Sequence, residues 1–176
     1  MKKAIFVSSL LLSGLVSASA FASPTVRFSG VCANGDFDAS GIEIGYSNLN
    51  LDLDESDGKI ANAECTITTR LPAKRGFRIV ASDFKLQADA LVAGPSGVAS
   101  IFVKHGFNGQ SVNGVSAITR KDGPLRAQQL TIGSSNCGEA VLLSTKLTIK
   151  AKNATVLQQD ALARVVSFNL GYELCH

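Results

Sequence analysis

Imidazole is scarce in this chain of 176 residues, which holds two histidines, His105 and His176. A nucleophilic hydrolase needs a base beside its serine or cysteine. Gly109-Gln110-Ser111-Val112-Asn113-Gly114 comes nearest to a G-x-S-x-G elbow, but one residue too many precedes its last glycine. That elbow also opens a helix, and no helical pattern follows. The segment reads as a Gly/Asn-rich hairpin loop, His105 as the end of a strand, and His176 as a terminal residue.

Carboxylates offer two further chemistries. Asp52, Asp54 and Ser56 place oxygens at alternate positions, as the first half of a calcium loop does. Asp57 then stands where that loop needs glycine. Ala63 stands where it needs a closing glutamate, and Glu64 comes one residue late. Residues 52–57 read as a solvated strand face entering a turn, with weak cation binding as their residual chemistry. Glycoside cleavage needs two facing acids, and nothing singles out a pair among the 14 Asp and Glu. Trp is absent, so a stacked indole platform for sugars is not available. No catalytic residue, metal site or cofactor is expected.

Cysteine carries the strongest signal. Cys32, Cys65, Cys137 and Cys175 contain no C-x-x-C pair, and the closest neighbours in sequence are 33 residues apart. Zinc frameworks use short paired spacings, so two disulfides are the expected state. Three pairings are open. Cys32–Cys65 with Cys137–Cys175 is favoured because each bridge then closes a local piece of chain.

All four cysteines lie downstream of an export signal. Residues 1–22 carry Lys2 and Lys3, then an apolar run, then the small residues of Ala20-Phe21-Ala22. Cleavage is expected before Ser23, with cleavage before Phe21 as the alternative. The apolar run is too short to span a bilayer, and no cysteine follows it as in a lipoprotein. Residues 23–176 suit one domain. The formal charge is +3. Lys2 and Lys3 leave with the signal and no acid does, so the mature charge falls to +1. No run of like charges exceeds three residues, and a near-neutral domain without a basic patch has little to hold a phosphate backbone. Nucleic acid is therefore not an expected partner.

The elements that must position these residues are strands, because the apolar period is mostly two. Leu49, Leu51 and Leu53 share one face; so do Cys65, Ile67, Thr69 and Leu71, and likewise Phe77, Ile79 and Ala81. In residues 98–107, Val98, Ser100 and Phe102 oppose Ile101 and Val103. In residues 140–151, Val141, Leu143, Thr145, Leu147 and Ile149 alternate with Leu142, Ser144, Lys146, Thr148 and Lys150. Residues 161–174 align Leu162, Arg164, Val166, Phe168, Leu170 and Tyr172, with Val165 opposed. Residues 128–132 suit another short strand, and residues 84–92 a short helix or an irregular crossover. Asn34-Gly35, Ser40-Gly41, Asn108-Gly109, Asn113-Gly114 and Asp122-Gly123-Pro124 are turn formers. Ser56-Asp57-Gly58-Lys59 suits a tight hairpin turn. About eight short strands argue for an all-β, antiparallel sandwich.

The order of several blocks resembles the small secreted proteins grouped as domain of unknown function 4360. The blocks are Ala63-Glu64-Cys65-Thr66-Ile67, Leu71-Pro72, Gly76-Phe77-Arg78-Ile79, Phe107-Asn108-Gly109-Gln110 and Asn136-Cys137-Gly138 with the strand after it. Cys32 and Cys175 match that family's first and closing cysteines. The resemblance implies an exported, disulfide-bonded β fold and brings no activity with it. Phe28-Ser29-Gly30-Val31-Cys32 also resembles the start of a chaperone–usher pilin. The ending Leu174-Cys175-His176 and the two extra cysteines differ from one.

The expected function is a non-enzymatic β-sandwich with a binding or structural role at the cell envelope or outside the cell. Its partner would be an unknown protein or an envelope or extracellular component, with no membrane span and an open oligomeric state. Loops 93–97 and 106–114 are the expected contact points. The alternative is a secreted inhibitor or effector acting on another protein through Lys74-Arg75 or Arg120-Lys121. A third reading is a hydrolase of unrecognised type using His105.

Overall fold

The structure is a computed structural model that describes residues 23–40, 42–55, 57–158 and 164–175. Residues 1–22, read above as an export signal, and Gly41, Ser56, Leu162 and His176 lie outside the described residues. Twelve strands and no helix are found among the described residues: β1 (Thr25–Gly30), β2 (Asp36–Ser40), β3 (Glu43–Ser47), β4 (Leu53–Glu55), β5 (Ala61–Leu71), β6 (Phe77–Val92), β7 (Val98–Phe107), β8 (Gln110–Thr119), β9 (Gly123–Ser134), β10 (Val141–Lys152), β11 (Ala154–Leu157) and β12 (Val166–Leu174). They form an antiparallel β-sandwich with two disulfides. One sheet runs β1-β5-β10-β7-β8. In the other, β6 carries β9 on one side, with β12 and β11 in succession on its other side; β12 leads to β3 and β2, and β11 to β4.

Alternation builds both layers. Cys65, Ile67, Thr69 and Leu71 of β5 point into the core with Val141, Leu143, Thr145, Leu147 and Ile149 of β10. Tyr46 of β3 meets them from the opposite sheet. Its ring packs edge-on against Phe28 at 5.8 Å and tilts against Phe168 at 5.6 Å. The Tyr46 hydroxyl is hydrogen-bonded to Thr69 Oγ1 across the sandwich. Burial pushes the Tyr46 phenol well above its usual range, partly opposed by that bond.

Several expectations are corrected. Residues 84–92 are the second half of β6. Asp83 takes φ 51°, and against β12 two residues of β6, Asp83 and Phe84, oppose the single residue Phe168. Core positions therefore change from Ile79 and Ala81 to Phe84, Leu86, Ala88 and Ala90. A bulge adds a residue and inverts the phase, which hides one long strand from a period-two reading. Asp83 Oδ2 accepts bonds from Ser82 Oγ at 3.0 Å and Asn169 Nδ2 at 3.1 Å, which hold the bulge.

Leu49 and Leu51 are buried as their spacing suggests, yet strand pairing begins at Leu53. Asn48 and Asn50 adopt left-handed φ near 50°, which breaks the ladder while keeping both leucines inward. The turn after β4 is no hairpin, because β4 pairs with β11 in one sheet while β5 lies in the other. On β7 the inward set is Ala99, Ile101, Val103, His105 and Phe107, with Phe102 outward. Ser100 is also buried. Strand β12 starts only at Val166, and Val165 before it is buried as well.

The bridges join Cys32 to Cys65 and Cys137 to Cys175. Cys32 and Cys65 have 0% exposure, whereas Cys137 lies on the surface. A thiolate must reach a disulfide sulfur to exchange with it. Mild reductant is therefore expected to open Cys137–Cys175 first and leave Cys32–Cys65 closed until the chain unfolds. Opening that 38-residue loop should cost about 3–4 kcal/mol on the chain-entropy account. Alkylation read by mass spectrometry checks the order, and equal labelling of all four cysteines in the folded protein would contradict it.

Candidate functional site

Charge on this molecule is sorted by sheet. The strands of the five-stranded sheet carry Arg27, Arg70, Lys104, Lys146, Lys150 and Lys152 against one carboxylate, Glu64. The strands of the other sheet carry Asp36, Asp38, Glu43, Asp54, Glu55, Asp83, Asp89 and Glu173 against Arg78, Lys85 and Arg126. With the inner faces sealed, the six cations all stand on one outer surface. The expectation that the chain lacks a basic patch is thus corrected. Cations two residues apart on a strand, or side by side on neighbouring strands, make a patch that no run in the sequence displays.

Register turns this surface into a trough. Arg27 lies opposite Thr68, Thr68 opposite Ser144, Ser144 opposite Gly106, and Gly106 opposite Ser111. That line of mostly small residues crosses all five strands, a distance of roughly 19 Å for four interstrand steps. One bank holds Thr25, Arg70 and Leu142. The other holds Ser29, Thr66, Lys146 and Lys104. Leu142 and Lys146 are four residues apart on β10, so the banks stand roughly 13 Å apart. Two open depressions, of about 390 and 280 Å³, meet at Leu142 along this line.

The β7–β8 hairpin shapes one end. Asn108 at φ 50° and Gly109 at φ 80° form its two-residue turn, as a pair of left-handed residues does. Asn108 clamps the start of β10: its Oδ1 accepts the Leu142 N–H at 2.8 Å, and its own N–H donates to the Leu142 carbonyl at 2.9 Å. The expected loop over 109–114 is therefore mostly strand. Asn113-Gly114 is a bulge facing β7, not a turn. A Cβ on Gly114 would sit 2.0 Å from the Val103 carbonyl oxygen, so only glycine fits.

Two features of this face work against stability. Lys104 and Lys146 are directly opposed, and like charges so placed repel. Glu64 Oε1 lies 2.8 Å from Lys146 Nζ, but both groups are well exposed, so that pair compensates weakly. Phe102, next along the sheet, stays 37% exposed, with Lys150 Nζ 5.6 Å from its ring centre.

The residues expected to do chemistry are placed otherwise. His105 is 2% exposed and turned into the core, its ring 4.6 Å from that of Phe84. Its Nδ1 is 3.1 Å from Thr145 Oγ1, and its Nε2 has no hydrogen-bond partner. Burial lowers its pKa from 6.5 to about 4. It is a neutral core residue next to the trough, out of reach of a substrate. Asp52 Oδ1 accepts the Gln158 N–H at 2.9 Å, and Asp54 Oδ1 accepts the Thr155 hydroxyl at 2.7 Å. Both carboxylates fasten residues 52–54 to residues 155–158. No group of three or more metal-ligating side chains is found among the described residues. The Lys74-Arg75 loop closes as a turn, with the Phe77 N–H on the Lys74 carbonyl at 3.1 Å. Arg120-Lys121 is held by Thr119, whose Oγ1 accepts the Lys121 N–H at 3.2 Å and donates to its carbonyl at 2.8 Å.

No protein-family model and no curated protein matches the chain. Among solved structures it is similar to TmCBM61 in complex with beta-1,4-galactotriose. The identity is 12%, over 84% of this chain and 88% of that one, with a TM-score of 0.27. It is also similar to the CBM36-1 domain of a multidomain xylanase from the hindgut metagenome of Trinervitermes trinervoides. There the identity is 12%, over 85% of this chain and 94% of that one, with a TM-score of 0.24. At these scores neither likeness carries a functional argument.

Two outcomes follow from the geometry. The His105 pKa is lower folded than unfolded, so the unfolded chain takes up the proton first as pH falls. Stability is full above pH 6.5 and declines toward pH 4, losing about 3 kcal/mol in total. H105Q should flatten urea midpoints in that window, and an unchanged slope would refute the cause. Lys104→Glu should raise stability by about 0.2–1 kcal/mol in low salt by replacing a repulsion with an attraction. That gain should fade in high salt; urea titration at two ionic strengths checks it.

Proposed function

We propose that the chain is an exported, non-enzymatic binding module whose working surface is the outer face of the five-stranded sheet. The single observation that carries this reading is the segregation of charge, with six cations on one face and most strand carboxylates on the other sheet. Strand cations placed side by side destabilise a sheet, so their concentration on one surface is accounted for by a partner that supplies negative charge. Two disulfides support an oxidising compartment, and the leader-like residues 1–22 support export to it. The partner is then an envelope or extracellular component.

Supporting the non-enzymatic part, the trough offers hydroxyls and cations but no activated nucleophile or accessible base. His105 turns away from it, and no carboxylate pair lines it. The inhibitor or effector alternative needs an extended loop bearing a basic residue, and both candidate loops are closed turns.

The test is sedimentation of the mature protein with envelope material from the cell that makes it. The protein should pellet at low salt and be released at about 0.5 M NaCl, where screening is short-ranged. K104E/K146E should stay in the supernatant, while K85E/R126E, the same charge change on the other sheet, should behave like the parent. Equal behaviour of the two variants would overturn the assignment of the face.

A further inference from the structure

We infer that the trough holds a single extended chain of acidic polysaccharide, its carboxylates on the cationic banks and its hydroxyls on the floor. The inference rests on the proposed binding face and names its ligand class.

Three observations select this chemistry. First, the floor residues Thr68, Ser144 and Ser111 present hydroxyls, which both donate and accept, as sugar hydroxyls do. Gly106 between them leaves the floor low. Second, the cations occupy opposite banks. Arg70 stands on one side and the Lys104–Lys146 pair on the other, with Arg27 closing the floor at the β1 end. Arg can take a carboxylate with two parallel bonds, whereas Lys acts as a point charge. A polymer carrying an anion on each repeat meets both kinds. Third, the shape excludes the other polyanions. A flat bilayer would rest on the banks and leave the floor unused. A single nucleic-acid strand is held largely by bases stacking on rings, and the trough has none, since Phe102 lies beyond the Lys104 bank. Banks roughly 13 Å apart admit one extended chain and no duplex.

Charge alone would attract any polyanion, so the decisive variant leaves charge untouched. A Cβ on Gly106 would meet Ser144 Cβ at an ordinary 3.6 Å, so Gly106→Val places its Cβ without a clash, and its methyls raise the floor. The probes are polygalacturonate, its fully methyl-esterified form, oligothymidylate, and vesicles containing phosphatidylglycerol. Binding of each to the mature protein is measured at two salt concentrations by titration calorimetry.

Polygalacturonate should bind, and the methyl ester, identical in backbone but uncharged, should bind at least about tenfold more weakly, as loss of charge complementarity requires. K104E/K146E and Gly106→Val should each weaken polygalacturonate binding by a similar factor, with thermal midpoints showing that both variants are folded. Equal binding of polygalacturonate and its ester overturns the acidic ligand. Tighter binding of oligothymidylate or vesicles overturns the polysaccharide. Unchanged binding by Gly106→Val overturns the trough. If none of the probes binds while envelope sedimentation still depends on Lys104 and Lys146, the ligand class fails and the binding face stands. If sedimentation is also indifferent to those lysines, both fail.

Discussion

The antiparallel pairing of β5 with β10 is the constraint from which the rest of the molecule follows. It runs in register over eleven residue pairs, from Val141 opposite Leu71 to Ala151 opposite Ala61. Side chains alternate with a period of two, so sealing one face against the second sheet decides the fate of every residue on both strands. A slip of β10 by one residue would turn Lys146 and Lys150 into the core and expose Leu143 and Leu147. The energetic gulf between those arrangements is many buried side chains wide, at roughly 1.5–3 kcal/mol for each large apolar one. The hydrophobic core thus dictates the basic surface: the cations stand together because their neighbours in sequence must be inside.

Around this pair, polar groups set the fine alignment of the layers. The bond between Tyr46 and Thr69 joins β3 to β5 across the sandwich. A buried hydroxyl without a partner is costly, so the bond favours one lateral position of sheet on sheet. The Cys32–Cys65 bridge fastens the loop after β1 to the middle of β5, fully buried. Cys137–Cys175 ties the end of β12 to the loop before β10, on the surface. Both bridges leave the outer face of the five-stranded sheet clear. That face is built on strands rather than loops, which suits a preorganised binding surface.

Preorganisation here sits beside local conflict. Lys104 repels Lys146 on the outside, and one residue on, His105 is held neutral on the inside with its Nε2 unpartnered. Both lie in the segment of β7 that leads into the Asn108-Gly109 hairpin. Rules of strand design are broken where a working surface is expected. The outward conflict is explained by the proposed binding face. The inward one plays no part in that proposal and is a liability toward acid.

The sequence by itself determined the fold class, the two bridges as a set and the inward faces of β5 and β10, because alternation and cysteine spacing are local patterns. It also displayed the Asn108-Gly109 turn, since left-handed backbone demands those residue types. The long strand β6 was hidden, because the bulge at Asp83 inverts the period midway. The apparent strand over Leu49 and Leu51 misled for the opposite reason: left-handed asparagines reproduce alternation without a ladder. Only the tertiary structure decided the candidate site. Arg27, Arg70, Lys104 and Lys146 sit on four strands far apart along the chain, and a formal net charge of only +3 conceals them. Pairing across strands is nonlocal, and it is register, set by burial of the opposite face, that brings these four cations around one line of small residues.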